Sequence, residues 1–355
     1  MTLYDTIIIG GGPAGLSAAL VLGRCMRRIL VCDSGRYRNE RSQALHCYMG
    51  HDGIHPRELL KRARRQLEPY ATVSMKCLPV RDIAQEEDEF LVRIESGEAA
   101  RARTLLIATG VVDELPEIEG IGDLFGRSIH VCPYCDGWEH RNAAIAVYGR
   151  ADKGTNLALL LRQWTNDLVL CTHGVALAKD HLGILGRRGI AVEERPIERL
   201  EGVDGCLRSI HFVGGRKLPR RALFFNTDQH PRSPLLERLG CRFEESGGVA
   251  CDESGETSVR GVFVAGDVSR DVQLAIIAAA EGARAALAIN KRLLKVDGHL
   301  LYGQELTLGL AVYGWLCRQA PIRLGHSPIS PAGLPACWGR RLLSRRPARS
   351  LRCGP

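Results

Sequence analysis

A strand, a glycine-rich turn and a helix at the front of the chain restrict the fold more than any other feature. Tyr4-Asp5-Thr6-Ile7-Ile8-Ile9 reads as a buried strand, Gly10-Gly11-Gly12-Pro13-Ala14-Gly15 as the turn, and Leu16 to Met26 as the helix. Gly10, Gly12 and Gly15 fill the three positions of a G-x-G-x-x-G fingerprint. The first permits the tight turn, the second lets backbone approach a pyrophosphate, and the third lets the helix pack close to the strand. The helix N-terminus then faces the anion. A second strand, Ile29 to Cys32, ends at Asp33, eighteen residues after Gly15, where a carboxylate can accept hydrogen bonds from ribose hydroxyls. A glycine turn without a ligand is the plainer reading. The ordered run of strand, turn, helix, strand and acid weighs against it.

The second informative stretch is His130-Val131-Cys132-Pro133-Tyr134-Cys135-Asp136-Gly137. Two thiols at C-x-x-C spacing can close into a small disulfide at a helix start, where the helix N-terminus favours a thiolate, the reactive form. Asp136 could move a proton as the pair opens and closes. Two further strands end in short polar turns. Thr104 to Ile107 runs into Ala108-Thr109-Gly110, and Gly261 to Ala265 runs into Gly266-Asp267, with a helix expected from Val272 to Leu294. Each is bland alone.

In combination the motifs G-x-G-x-x-G, A-T-G, C-x-x-C-D-G and V-A-G-D resemble the low-molecular-weight thioredoxin reductase family of flavin-dependent disulfide oxidoreductases, over residues 3 to 294. The resemblance implies an α/β fold of two three-layer Rossmann-like nucleotide-binding domains, the second inserted in the first. An FAD domain would comprise residues 1–113 and 242–296, and an NAD(P)-type domain with the redox cysteines residues 114–241. Gly10, Gly12, Pro13, Ala14, Gly15 and Asp33 would hold the ADP half of FAD. Thr109, Gly110, Gly266 and Asp267 would serve the same cofactor, with Asp267 on the ribityl-phosphate side. Gln273, Leu274 and Ala275 would lie near the isoalloxazine ring. Cys135 would face the flavin, Cys132 would exchange with a thioredoxin-like protein or a small dithiol or disulfide, and Asp136 would be the family's acid. A homodimer in the cytoplasm is part of the same implication.

The inserted domain departs from the pattern. Its expected turn follows strand Ala144 to Tyr148 and reads Gly149-Arg150-Ala151-Asp152-Lys153-Gly154, with a helix through Trp164. Gly149, Arg150 and Gly154 could serve a nucleotide, but Ala151 puts a methyl at the middle position and Asp152 puts a negative charge beside the phosphates. The next strand, Leu168 to Cys171, ends in Thr172-His173-Gly174, with neither an acid for NAD nor a basic cluster for NADPH. NAD(P)H binding is therefore left open. The alternative is a dithiol oxidase that passes electrons to oxygen or another carrier. A second alternative is a non-catalytic flavin- or zinc-binding module, because His130, Cys132, Cys135 and His140 offer two His and two Cys within eleven residues. His140 reads either as a second proton carrier or as a solvated loop histidine, with the loop reading favoured.

Smaller expectations complete the reading. A helix from Arg57 to Glu68 would present Lys61, Arg62, Arg64 and Arg65 as a solvated face. Residues 72–108 would form a β-meander, Val111 to Gly126 a linker, and Ser233 to Cys241 the return crossing. Gln229 or His230 could face the flavin. Of the thirteen cysteines, those outside the C-x-x-C are expected to be mostly buried small hydrophobes, with Cys47 and Cys77 as exceptions. The net charge of +8 is concentrated at the end: residues 297–355 hold eight Arg and two acids, a net of +6. The body thus carries no nucleic-acid footprint. No apolar run is long enough to span a membrane, and the N-terminus enters a strand without a signal-peptide pattern. The segment from 297 is expected to be a disordered basic tail apart from one apolar helix, Leu306 to Leu316.

Overall fold

Parallel pairing builds the first sheet around β1 (Leu3–Ile9), followed by α1 (Pro13–Arg24) and β2 (Ile29–Cys32). Next come α2 (Pro56–Arg65), β3 (Val73–Lys76), β4 (Val80–Glu86), β5 (Glu89–Ile94), β6 (Ala99–Ile107) and β7 (Val111–Asp113). The computed structural model describes residues 1–299 apart from Thr227, Ser246, Arg270 and Asp271. Met1–Asp297 form one compact unit and Gly298–Pro355 a second. The expected helix at Leu306 to Leu316 lies outside the described residues.

The middle of the chain contains α3 (Ile121–Leu124), β8 (Ile129–His130), α4 (Pro133–Asp136), β9 (Ile145–Tyr148), α5 (Ala151–Leu161), β10 (Leu168–Cys171), α6 (Lys179–Arg187) and β11 (Ala191–Glu193). It continues through β12 (Ile197–Val203), β13 (Cys206–Phe212), β14 (Lys217–Pro219), β15 (Ala222–Phe225) and β16 (Gln229–Pro231). Then follow α7 (Leu235–Arg238), β17 (Val262–Val264) and α8 (Ala275–Val296).

Strand alternation sorts the side chains into layers. In the first sheet, ordered β3-β2-β1-β6-β5-β4 with β17 also on β6, Ile8, Leu106 and Phe263 face α1 and α8, while Ile7, Ile9, Leu105 and Ile107 face the opposite core with Phe90 and Val92. The second sheet, β11-β10-β9-β15-β8, repeats this. Val147, Leu170 and Phe224 pack with Leu157 and Leu161 of α5, and Ala146, Val169 and Phe225 pack with Leu200, Ile210 and Phe212 of the β12–β14 sheet. Each fully buried Ile, Leu or Phe contributes about 1.5–3 kcal/mol relative to leaving it in water. Both halves are three-layer, Rossmann-like assemblies.

The chain leaves the first sheet through β7 and returns through β16, and these two segments pair antiparallel, Val111 opposite Pro231 and Asp113 opposite Gln229. The return crossing therefore precedes the expected Ser233 to Cys241, which instead holds α7. Val111 to Gly126 is not wholly a linker, since it contributes β7 and α3. The helices are also shorter or shifted: α2 ends at Arg65, α5 at Leu161, and α8 begins at Ala275 rather than Val272. Asp297 belongs to the body rather than to a tail. It caps α8 and accepts from Arg27 at 2.8 Å and Arg103 at 2.6 Å.

Candidate active site

The first turn needs its glycines for different reasons. Gly10 has φ +112, and a Cβ there would sit 2.3 Å from the Ala108 carbonyl oxygen. A Cβ on Gly15 would sit 1.9 Å from the Gly10 carbonyl oxygen, which is the close helix–strand contact expected of that position. A Cβ on Gly12 would meet no atom within 4 Å. That backbone opens into a cavity of about 1060 Å³. Pro13 begins α1, and no acid occupies the first helical turn, so the positive end of the helix is uncompensated.

The same cavity is lined by Gly10, Gly12, Pro13, Ala14, Asp33, Thr109, Gly110, Gly266, Asp267, Gln273, Leu274 and Ala275, and on its other wall by Cys132, Cys135 and Asp136. The Thr109 hydroxyl is buried there without a hydrogen-bond partner. An open glycine cradle at a helix start and an orphaned hydroxyl fit a bound dinucleotide. Of the residues assigned to one site from sequence, Gly15 and His140 lie outside the cavity lining, Gly15 because it packs helix on strand.

Charge inside the cavity is arranged by Arg38, which sequence reasoning missed. Its guanidinium donates to both Asp113 oxygens at 2.8 and 2.7 Å, to Asp267 at 2.9 Å and to the Gln273 amide oxygen at 2.7 Å. Burial opposes the charge, but the bonds and charges of Asp113 and Asp267 outweigh it and raise the Arg38 pKa. Gln229 donates to Asp113 at 2.7 Å and exchanges amide hydrogen bonds with Gln273. Gln229 thus lines the cavity, whereas His230 is exposed and faces Glu114 at 3.4 Å. From α8, buried Glu281 accepts from the Gly266 N–H at 2.7 Å and holds that turn.

At the end of β2, Asp33 is 3% exposed. It accepts from the Tyr37 hydroxyl and from Arg64 at 2.8 Å. The solvated-face reading of α2 fails for Arg64, which turns inward to pair with this carboxylate. The signal available for Arg38 and Tyr37 was only their place in the polar loop directly after Asp33.

Cys132 and Cys135 are joined as a disulfide with Cα atoms 5.3 Å apart. Cys132 is the N-cap of α4, and its sulfur accepts from the Cys135 N–H at 3.1 Å. Pro133 takes the first helical position. Tyr134 and Trp138, 61% and 64% exposed, flank the bridge on the outside. Cys47 is exposed, with its sulfur 3.4 Å from the Tyr134 carbonyl oxygen. Cys251 is exposed as well, against expectation, while Cys32 and Cys171 follow it, each pushed up to about 12 by burial. Cys32 lines the cavity but is inert as a nucleophile.

His140 is not a solvated loop residue. It is half-buried, and its Nε2 lies 2.9 Å from Nε2 of His130. Burial first, then the charges of His130 and Arg221, push it down to about 4. The zinc reading loses its thiolates to the Cys132–Cys135 bond. Among the described residues no group of three or more His, Cys, Asp or Glu is placed to hold a metal ion.

The second turn keeps its shape. Gly149 and Gly154 touch so closely that a Cβ on either would come within 2.6 Å of the other's backbone. Between them Ala151 adopts φ +44, a conformation that costs a non-glycine residue about 1–2 kcal/mol. Asp152 pairs with His181 at 2.8 Å and Lys153 with Asp228 at 3.0 Å. His173, at the end of β10, accepts from the Ile197 N–H at 3.0 Å. Methyl, carboxylate and pre-engaged cation together fit a pyrophosphate poorly. Among the described residues no helix is long and apolar enough to cross a membrane.

Residues 4–282 match the family described as pyridine nucleotide-disulphide oxidoreductase. The chain is 34% identical over 279 residues to the thioredoxin reductase tcpT of Claviceps purpurea, covering 75% of this chain and 86% of that one. It is 28% identical to the thioredoxin reductase of Aquifex aeolicus, covering 81% of this chain and 93% of that one. The crystal structure of a putative thioredoxin reductase TrxB from Bacillus anthracis is similar with a TM-score of 0.80 at 30% identity, covering 84% of this chain and all of that one.

Proposed function

The chain belongs to the pyridine nucleotide-disulphide oxidoreductase family, and from that premise we propose that its Cys132–Cys135 pair exchanges with a thioredoxin-like protein or a small dithiol or disulfide. It is a thioredoxin reductase-like, FAD-dependent disulfide oxidoreductase. The observation that carries the substrate reading is the shared cavity: the glycine cradle and the cysteine pair open onto the same space.

In this reading Gly10, Gly12, Pro13, Ala14 and the α1 N-terminus would hold the pyrophosphate of FAD, and Asp33 its ribose. Thr109, Gly110, Gly266, Asp267, Gln273, Leu274 and Ala275 would line the rest, with Arg38 fixing Asp267 and Gln273. Bound FAD supplies a two-electron carrier to the cysteine pair. Cys132, at the N-cap of α4, is the attacking sulfur and forms the mixed disulfide; Cys135 resolves it. Asp136 takes or returns the proton. Residues 1–113 and 242–296 would act as the FAD domain and 114–241 as the domain carrying the pair. The family resemblance supports cytoplasmic placement and a homodimer.

A second reading, oxidation of a dithiol with oxygen as acceptor and no NAD(P)H, is favoured by one observation, the strained and charge-blocked turn at Ala151 and Asp152. Anaerobic mixing separates the two. Rapid bleaching of the flavin band by NADPH or NADH supports the reductase. Bleaching by a dithiol alone, with oxygen uptake on re-aeration, supports the oxidase. A colourless protein that refuses FAD overturns both.

A further inference from the structure

Beside the disulfide, three titratable side chains stand in a row. Asp136 Oδ1 is 3.3 Å from His130 Nδ1, and His130 Nε2 is 2.9 Å from His140 Nε2. His130 is 6% exposed, with its ring centroid 4.9 Å from that of His140 and 5.2 Å from that of Phe224. Two imidazole nitrogens at this distance share one proton, with one donating and the other accepting. If His140 donates, His130 carries its own proton on Nδ1, toward an ionised Asp136. If His130 donates, its Nδ1 is bare and accepts from a protonated Asp136. The same atomic positions serve both states.

We propose, on the premise of thiol–disulfide exchange at Cys132, that Asp136, His130 and His140 form a proton relay in which the two histidines are positioning residues acting through Asp136. A substrate thiol gives its proton to Asp136, and its sulfur bonds to Cys132. The Cys132–Cys135 bond breaks and its electron pair stays on Cys135. For this His130 begins with its proton on Nε2 and Nδ1 bare; Nδ1 then takes the proton on Asp136 while the Nε2 proton moves to His140, which holds it as a transient imidazolium. When a thiolate leaves instead, the steps reverse. The relay moves protons only, so no further oxidant or reductant enters. The charged groups facing the histidine pair are Asp136 from α4 and Arg221 just before β15; Phe224 of β15 closes the apolar side. Burial lowers the proton affinity of His140, so it passes a proton on rather than keeping it.

His140→Gln tests this, because glutamine can keep the hydrogen bond to His130 but cannot titrate. Two quantities are followed against pH: dithiol-driven flavin bleaching, and alkylation of Cys132 by iodoacetamide in the reduced, FAD-free protein, read by peptide mass spectrometry. The relay predicts bleaching slower by about tenfold or more at neutral pH, with a displaced pH profile. It also predicts a shift of about half a pH unit or more in Cys132 alkylation. Adding His140→Gln to Asp136→Asn then causes no further loss. An unchanged profile, uniform slowing at every pH, or additive loss in the double variant overturns the relay. If His140→Gln does not fold, His130→Asn takes its place. It keeps a nitrogen toward Asp136 but cuts the link to His140, and the same outcomes support or overturn the relay. If native protein and Cys132→Ser bleach alike, the exchange function itself is wrong, and the relay falls with it.

Discussion

The molecule holds two glycine turns of the same build, and they have diverged in what fills them. At Gly10–Gly15 the contacts that shape the turn run from Gly10 to Ala108 and from Gly15 to Gly10, and Gly12 is left open to a large cavity. At Gly149–Gly154 the shaping contact survives, but the middle position carries a methyl in a left-handed conformation and the helix start carries an acid. A turn can thus keep its fold while its middle position changes, because the outer glycines serve packing and the middle one does not.

The largest effect expected from breaking this comparison is at the outer positions. Gly10→Val and Gly149→Val should each destabilise by about 3 kcal/mol or more through overpacking, and at Gly10 also through backbone strain. Thermal unfolding would show a loss at both turns, larger at Gly10, if packing is what they share. Next is Arg38→Met, which strips the charged partner from Asp113, whose side chain is 5% exposed, and leaves it only the Gln229 amide among the described contacts. A loss of about 2–3 kcal/mol is expected in denaturant unfolding. Removing Lys153 or His181 at the second turn, where the partner carboxylates are exposed, should cost under about 1 kcal/mol.

Smaller changes separate ligand from scaffold. Gly12→Ala should leave the melting temperature unchanged and weaken FAD binding about tenfold, or 1.4 kcal/mol, in a fluorescence titration. The reciprocal Ala151→Gly should stabilise by about 0.5 kcal/mol, the relief of strain being partly offset by backbone entropy. Unaltered FAD affinity in Gly12→Ala would erase the distinction between the turns.

A further effect is one of pH. Burial, with the charge of His130, pushes His140 down to about 4 from the ordinary 6.5. Between these values the unfolded chain binds the extra proton, so stability rises with pH across the window and is lost on acidification from about 6.5 toward 4. His140→Gln should flatten that slope in unfolding measured across the window.

Much of this was legible in the sequence for reasons that are local. The turn at Gly10, the acid at Asp33 and the C-x-x-C are each defined within a few residues, and the parity of β1, β6 and β9 sorts their side chains into layers. Arg38, Glu281 and the inward turn of Arg64 were not legible. Their partners lie 229, 15 and 31 positions away in sequence, and nothing in the loop from Ser34 to His55 has a periodicity that marks which cation turns inward. His140 was misjudged because its neighbours Trp138 and Glu139 are exposed, and only the fold brings it to His130.

The central claim is that the sulfur pair and the glycine cradle serve one cavity. Anaerobic titration of the FAD-loaded native protein with a dithiol, beside Cys132→Ser, tests it most directly. The account predicts that the flavin band bleaches in the native protein and persists in the variant. Equal bleaching in both would contradict it.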